Sequence, residues 1–160
     1  MRLGAVFLVL TLASCAPAAA PASASSASAS SSANSAPVVW PLRGTPASSA
    51  DAAKTRPIVV KVGNDAQARP QTGIADADLV IEVLVEGGIT RLAVVFQSKD
   101  PARVGPVRSA RQSDLNYLSP LHAILAHVGA SEAVTKAVRD AAQSGGFIDV
   151  DEYHFGTATA

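Results

Sequence analysis

The sequence predicts a mixed α/β fold: a small mixed sheet with a Gly-Gly β-hairpin and two to three helices, preceded by a disordered tether. Three features carry this reading. β-branched runs have strand length, a Gly-Gly pair sits between two of them, and helix-capping signals punctuate the later part of the chain. Pro57-Ile58-Val59-Val60-Lys61-Val62 reads as a first strand, stopped by Gly63-Asn64-Asp65. Ala75-Asp76-Ala77-Asp78 reads as one helical turn before a second strand, Leu79 to Val85. Glu86-Gly87-Gly88-Ile89 predicts a tight hairpin, because glycines supply the positive φ that a two-residue turn demands. Thr90 to Gln97 is the returning strand. Ser109-Ala110-Arg111-Gln112 has the spacing of a capping box, so a helix is expected from Ser109 to about Ser119-Pro120. Ala123 to Val128 reads as a buried strand, Ser131 to Gln143 as a helix capped by Ser131, and Phe147 to Val150 as the start of another strand. The order β-β-β-α-β-α-β is that of a mixed α/β domain.

Ahead of this domain the chain changes character. Met1-Arg2 is a short positive start, and Leu3 to Leu12 is uncharged and apolar, too short for the roughly 20 residues that span a bilayer. It runs into Leu12-Ala13-Ser14-Cys15, the pattern of a bacterial lipobox. The lipobox implies cleavage before Cys15 and acylation of that residue, and hence a membrane partner reached through a lipid anchor, on the extracytoplasmic face of the cell membrane. Two or more acyl chains anchor stably where one is marginal. Residues 16–55 are mostly Ala, Ser and Pro and read as a disordered linker, with Val38 to Leu42 an apolar island that docks onto the domain surface. At this composition about forty residues reach roughly 35 Å. The domain itself is assigned to 56–160, which allows one modest core.

Composition narrows the function classes. Thirteen basic residues balance thirteen acidic ones and aromatics make up only 4%, which, with the export signal, disfavours nucleic acid as a partner. A single cysteine excludes an intramolecular disulfide framework and a CxxC metal site. His122, His127 and His154 lack zinc spacing, and no nucleophile elbow, zincin motif or phosphate-cradling glycine loop is present, so neither metal nor cofactor is predicted.

Several motifs, in order, match a known family. Asn64, Arg69-Pro70-Gln71 with Gly73, Ala77-Asp78, Val85 through Arg91, Gly105 through Arg111, and His127-x-Gly129-x-Ser131 resemble the YerB-like lipoproteins, the DUF3048 family. The resemblance covers about Arg56 to Phe155. It implies a lipid-anchored envelope protein whose N-terminal domain is followed by a second domain, and it carries no established activity. By that comparison the chain reads as a C-terminally truncated member.

Four arginines stand in the Gly- and Pro-rich motifs: Arg69, Arg91, Arg108 and Arg111, with Arg103 nearby. Arg108 and Arg111 are three apart across the expected helix start and would share a face there. Converging guanidinium forks suit a carboxylate or phosphate, such as an anionic cell-wall component or an envelope protein. The same arginines could instead pair with Glu82 and Glu86 in an internal network that fixes the hairpin against the helix. Glu82 and Glu86 would share one strand face, and as acid and base, assisted by His127, they define the alternative: a cell-wall glycan hydrolase. Ser109 and Ser131 sit where helix caps belong rather than nucleophiles. The preferred reading is a binding or scaffold module, not an enzyme.

Overall fold

A computed structural model describes residues 36–155. The lipobox with Cys15 and residues 16–35 of the predicted linker lie outside the described residues, as do residues 156–160. The elements run α1 (Ala50–Ala53), β1 (Ile58–Gly63), β2 (Leu79–Leu84), β3 (Thr90–Phe96), α2 (Leu115–Leu121), β4 (Ile124–His127), α3 (Glu132–Gln143), β5 (Ile148–Asp151) and α4 (Glu152–Phe155). Five strands form one sheet in the order β2-β3-β1-β4-β5. β1 is antiparallel to β3, and β3 to β2, while β1, β4 and β5 run parallel. The mixture follows from the connections: a short loop joins β2 to β3, whereas the parallel strands need helical crossovers, supplied by α2 and α3.

β1 lies centrally with both faces covered, which explains its unbroken β-branched run. On one face Val59, Val95 and Leu125 pack with Leu118 of α2, Val138 of α3 and Phe147. On the other Val60, Val62, Val94 and Phe96 lie beneath Ile74, Ala77, Val104 and Val107, so loop segments replace helices there. Each fully buried aliphatic contributes about 1.5–3 kcal/mol. Asp78 fastens the start of β2 to the end of β3: its carboxylate accepts from the Gln97 and Ser98 amides and from the Ser98 hydroxyl.

The structure departs from the expected elements in four places. Folded chain begins upstream of Arg56: Val39 bridges Pro46, Leu42 packs against the helix-side core, and Gln97 donates to the carbonyls of Ala53 and Thr55. Trp40 and Leu42 bring apolar surface that the Ala/Ser stretch lacks, and this offsets the cost of ordering. The hairpin is not a two-residue turn. Val85 donates to Ile89 across Glu86–Gly88, with Gly87 and Gly88 both at positive φ, a longer loop built on the same glycine chemistry. The helix expected from Ser109 starts later, with a 3₁₀ turn over Gln112–Asp114 leading into α2, because Arg108 and Ala110 are held by strand-like backbone bonds described below. It also continues through Pro120 to Leu121, closed by His122 in the left-handed region. Ser131 occupies the N-cap position of α3 without a side-chain capping bond.

Candidate functional site

The parallel strands β1, β4 and β5 end on one edge of the sheet, where antiparallel β2 also ends and β3 begins. In open sheets of this kind the carboxyl ends of parallel strands are where ligands bind. Here residues 106–110 are wedged between the diverging ends of β1 and β4. Gly63 donates to the Pro106 carbonyl at 3.0 Å and Arg108 to the Lys61 carbonyl at 2.8 Å; Val128 donates to the Arg108 carbonyl at 3.2 Å and Ala110 to the Gly129 carbonyl at 3.0 Å. These bonds fix Arg108 and Arg111 on extended backbone beside the sheet rather than on a helix face.

The wedge is anchored by a buried ion pair that the motifs did not reveal. Lys61 projects from β1 beneath the 3₁₀ turn, and its Nζ donates to Asp114 Oδ1 at 2.8 Å, with both side chains fully buried. The Tyr117 hydroxyl donates to the same oxygen at 2.5 Å, and Lys61 Nζ donates to that hydroxyl at 3.2 Å. Asp114 Oδ2 accepts the Arg111 backbone N–H at 2.8 Å, so one carboxylate both neutralises Lys61 and caps the turn. Burial pulls the Lys61 ammonium down; Asp114 opposes that, and the positive charges of Arg91 and Arg111 add to it. Burial also pushes the Tyr117 hydroxyl well above its ordinary range, and the Asp114 charge and hydrogen bond push it further, so it remains a donor.

Around this anchor stand three of the four predicted arginines. Arg91, the second residue of β3, donates through Nη1 to the Ser109 carbonyl at 2.8 Å. Arg108 lies over Gly63, where a Cβ would fall 3.2 Å from its Cγ, and it donates through Nη1 to the Val107 carbonyl at 3.4 Å. Arg111 donates from Nε and Nη2 to Glu86 Oε2 at 2.9 and 2.7 Å, and from Nη1 to the Ala110 carbonyl at 2.8 Å. Burial lowers the Arg91 pKa, and the charges of Arg111 and Arg108 lower it further, the electrostatic signature of guanidiniums crowded together. The Arg111 bond holds the Glu86 carboxyl below its usual range. Neither Arg91 nor Arg108 makes an ion pair among the described residues.

The remaining predicted residues are placed elsewhere. Arg69 is exposed and donates to the carbonyl and Oδ1 of Asn64. Asn64 donates to Glu82 Oε1 at 3.1 Å and to Thr90 Oγ1 at 2.8 Å, and the Thr90 hydroxyl donates to Glu82 at 2.6 Å. Glu82 and Glu86 therefore do not share a face as expected. β2 ends at Leu84, two-residue alternation ends with it, and Glu86 turns toward Arg111 while Glu82 turns toward Asn64. Part of the expected ion-pair network does form, since Arg111–Glu86 ties the hairpin to the segment entering α2. His127, offered as an assisting base, is buried with both ring nitrogens engaged: Nδ1 donates to the Gly129 carbonyl at 2.8 Å and Nε2 to Asp149 Oδ1 at 2.9 Å. Burial lowers its pKa, but the Asp149 and Gly129 bonds and the charges of Asp149 and Asp151 outweigh that and raise it. With both ring nitrogens turned to protein acceptors, His127 serves as a structural tie between β4 and β5. Among the described residues no group of three or more His, Cys, Asp or Glu is placed to hold a metal ion.

Comparison with known proteins gives a consistent family. A family model described as the N-terminal domain of a protein of unknown function, DUF3048, matches residues 42–155. YerB of Bacillus subtilis (strain 168), described as a candidate lipoprotein, is 45% identical over 87 residues, which are 54% of this chain and 26% of that protein. The crystal structure of YerB protein from Bacillus subtilis superposes with a TM-score of 0.65 at 37% identity, covering 74% of this chain and 39% of that one. The chain thus spans about a quarter of the length of the curated relative it matches.

Proposed function

The chain belongs to the DUF3048 N-terminal-domain family, and from that premise we propose that it is a lipid-anchored envelope module that binds an anionic partner through Arg91, Arg108 and Arg111. The anchor is Cys15: its lipobox and the lipoprotein description of the relative support a mature protein tied to the membrane by acyl chains and facing away from the cytoplasm. The acylation is tested by growth with radiolabelled palmitate and detergent partitioning. Label retained by Cys15→Ser, or a wild-type protein found wholly in the aqueous phase, refutes it.

One observation carries the binding role: Arg91, Arg108 and Arg111 are neighbours, and among the described residues only Arg111 has an ion-pair partner, the exposed Glu86. Such crowding raises the energy of the empty site, and a bound anion relieves it. Guanidinium forks give oxyanions directional bonds as well as charge. Arg69 belongs to the neighbouring Asn64 network and contributes to that rim, not to the cluster. The decisive measurement is binding of muropeptide or teichoic-acid fragments to wild type and Arg108→Ala. Arg108 is chosen because among the described residues its one side-chain bond is a long one to a carbonyl, so truncation removes charge without breaking an ion pair there. Loss of about tenfold or more in affinity is expected. Equal binding by both proteins, or by neither, refutes the assignment.

A further inference from the structure

The loop carrying Glu86 differs in kind from the arginine frame it touches. Gly87 and Gly88 take φ of 72° and 71°, nothing lies within 4 Å of where either Cβ would stand, and the Glu86 side chain is 73% exposed. Arg111, by contrast, is 20% exposed and its backbone is fastened to Asp114. Both Arg111 bonds to Glu86 fall on one oxygen, Oε2, while among the described residues Arg91 and Arg108 have only carbonyl acceptors. Glu86 therefore neutralises Arg111 side-on from an exposed loop, and Arg91 and Arg108 have no ion-pair partner of their own among the described residues. A monocarboxylate ligand would only repeat what Glu86 already supplies. A phosphoryl group presents up to three acceptor oxygens in tetrahedral directions and, as a monoester or free ion, carries about two charges.

Resting on the anion-binding reading above, we propose that Glu86 is a resident competitor in the arginine site, displaced when a phosphoryl group engages Arg91, Arg108 and Arg111 together. Glu86 thereby sets specificity: ligands bearing one carboxylate gain nothing by replacing it, and phosphoryl ligands do. The displaced carboxylate moves into solvent, where an exposed ion pair of this type loses little.

The test is titration of the ¹⁵N-labelled full-length chain with inorganic phosphate and, in parallel, acetate, following the arginine Nε resonances. In wild type, phosphate shifts all three and acetate shifts them far less. Glu86→Gln, an exposed isostere, binds phosphate roughly two- to fivefold more tightly, because the competitor is gone. Equal or weaker phosphate binding by Glu86→Gln, with wild-type binding still lost in Arg108→Ala, overturns the competitor role and leaves the anion site standing. No phosphate binding by either protein overturns both. Glycerol 1-phosphate and phosphatidic acid vesicles, both phosphomonoesters, then separate a soluble phosphate ester from a lipid headgroup. The source is whichever arm reproduces the Glu86→Gln gain, and a gain in neither counts against the proposal.

Discussion

Lys61→Met isolates the anchor beneath the arginine cluster. The substitution keeps the length and most of the apolar stem of lysine and removes only the ammonium, leaving Asp114 fully buried with Tyr117 and the Arg111 amide as its remaining partners. Stripping one partner from a buried ion pair costs about 3–5 kcal/mol, because an uncompensated charge stays behind. Against the roughly 5–15 kcal/mol that holds a domain together, that is a large fraction. With a urea slope of about 2 kcal/mol/M, the midpoint of unfolding should fall by roughly 2 M. Lys61→Met/Asp114→Asn removes both charges and keeps an amide oxygen able to accept the Arg111 N–H, so it should return to within about 1–2 kcal/mol of wild type. Urea titration followed by circular dichroism measures both. A loss below about 1 kcal/mol for Lys61→Met, or a double variant as unstable as the sum of its parts, refutes the view that this pair is an obligate unit.

Two further outcomes follow from the same edge of the sheet. The His127 pKa is raised in the folded state, so its tie to Asp149 and Gly129 contributes fully below the ordinary histidine range and is lost as pH climbs through the raised value. Urea midpoints should therefore fall as pH rises above the ordinary histidine range through the raised value, and that fall should flatten in Asp149→Asn; an unchanged slope refutes the assignment. Gly63→Ala places a Cβ 2.8 Å from the Ala68 Cβ and 3.2 Å from Arg108 Cγ, costing about 1–3 kcal/mol by overpacking. Because Arg108 must move, phosphate affinity should drop in the same variant even where it is fully folded by its melting curve; intact affinity shows that Arg108 does not need its seat on Gly63.

The sheet was largely legible because its information is local. Pro57 to Val62, Leu79 to Val85 and Thr90 to Gln97 are runs of residues with strand propensity broken by turn chemistry, and they became β1, β2 and β3 within a residue or two. The start of α2 was not legible, because the Ser109–Gln112 capping pattern competes with backbone bonds from Lys61 and Gly129 that no local window contains. Lys61 was hidden for a similar reason. A lone lysine inside a β-branched run signals a buried charge needing a counterion, but its partner lies 53 residues onward in a turn read as helix. The Glu82–Glu86 pairing failed at a boundary, since alternation holds only while the strand does and β2 stops between them.

Asp114 links these failures and successes into one device. Its two oxygens answer to different levels of structure: one satisfies a charge projecting from the sheet, and the other caps the turn from which Arg111 extends. Rotating the carboxylate to favour either partner would lose the other, so the spacing between Lys61 on β1 and the Arg111 backbone is fixed by a group that cannot relax. Arg91 approaches the same place from β3, held through Ser109, and Arg108 through its backbone bonds to Lys61 and Val128. Like charges so constrained cannot spread apart to lower their repulsion, as they would on flexible loops. On the proposed reading, the stability of the buried pair holds the like charges of the cluster together, and an arriving oxyanion would meet donors already oriented, with little further ordering to do.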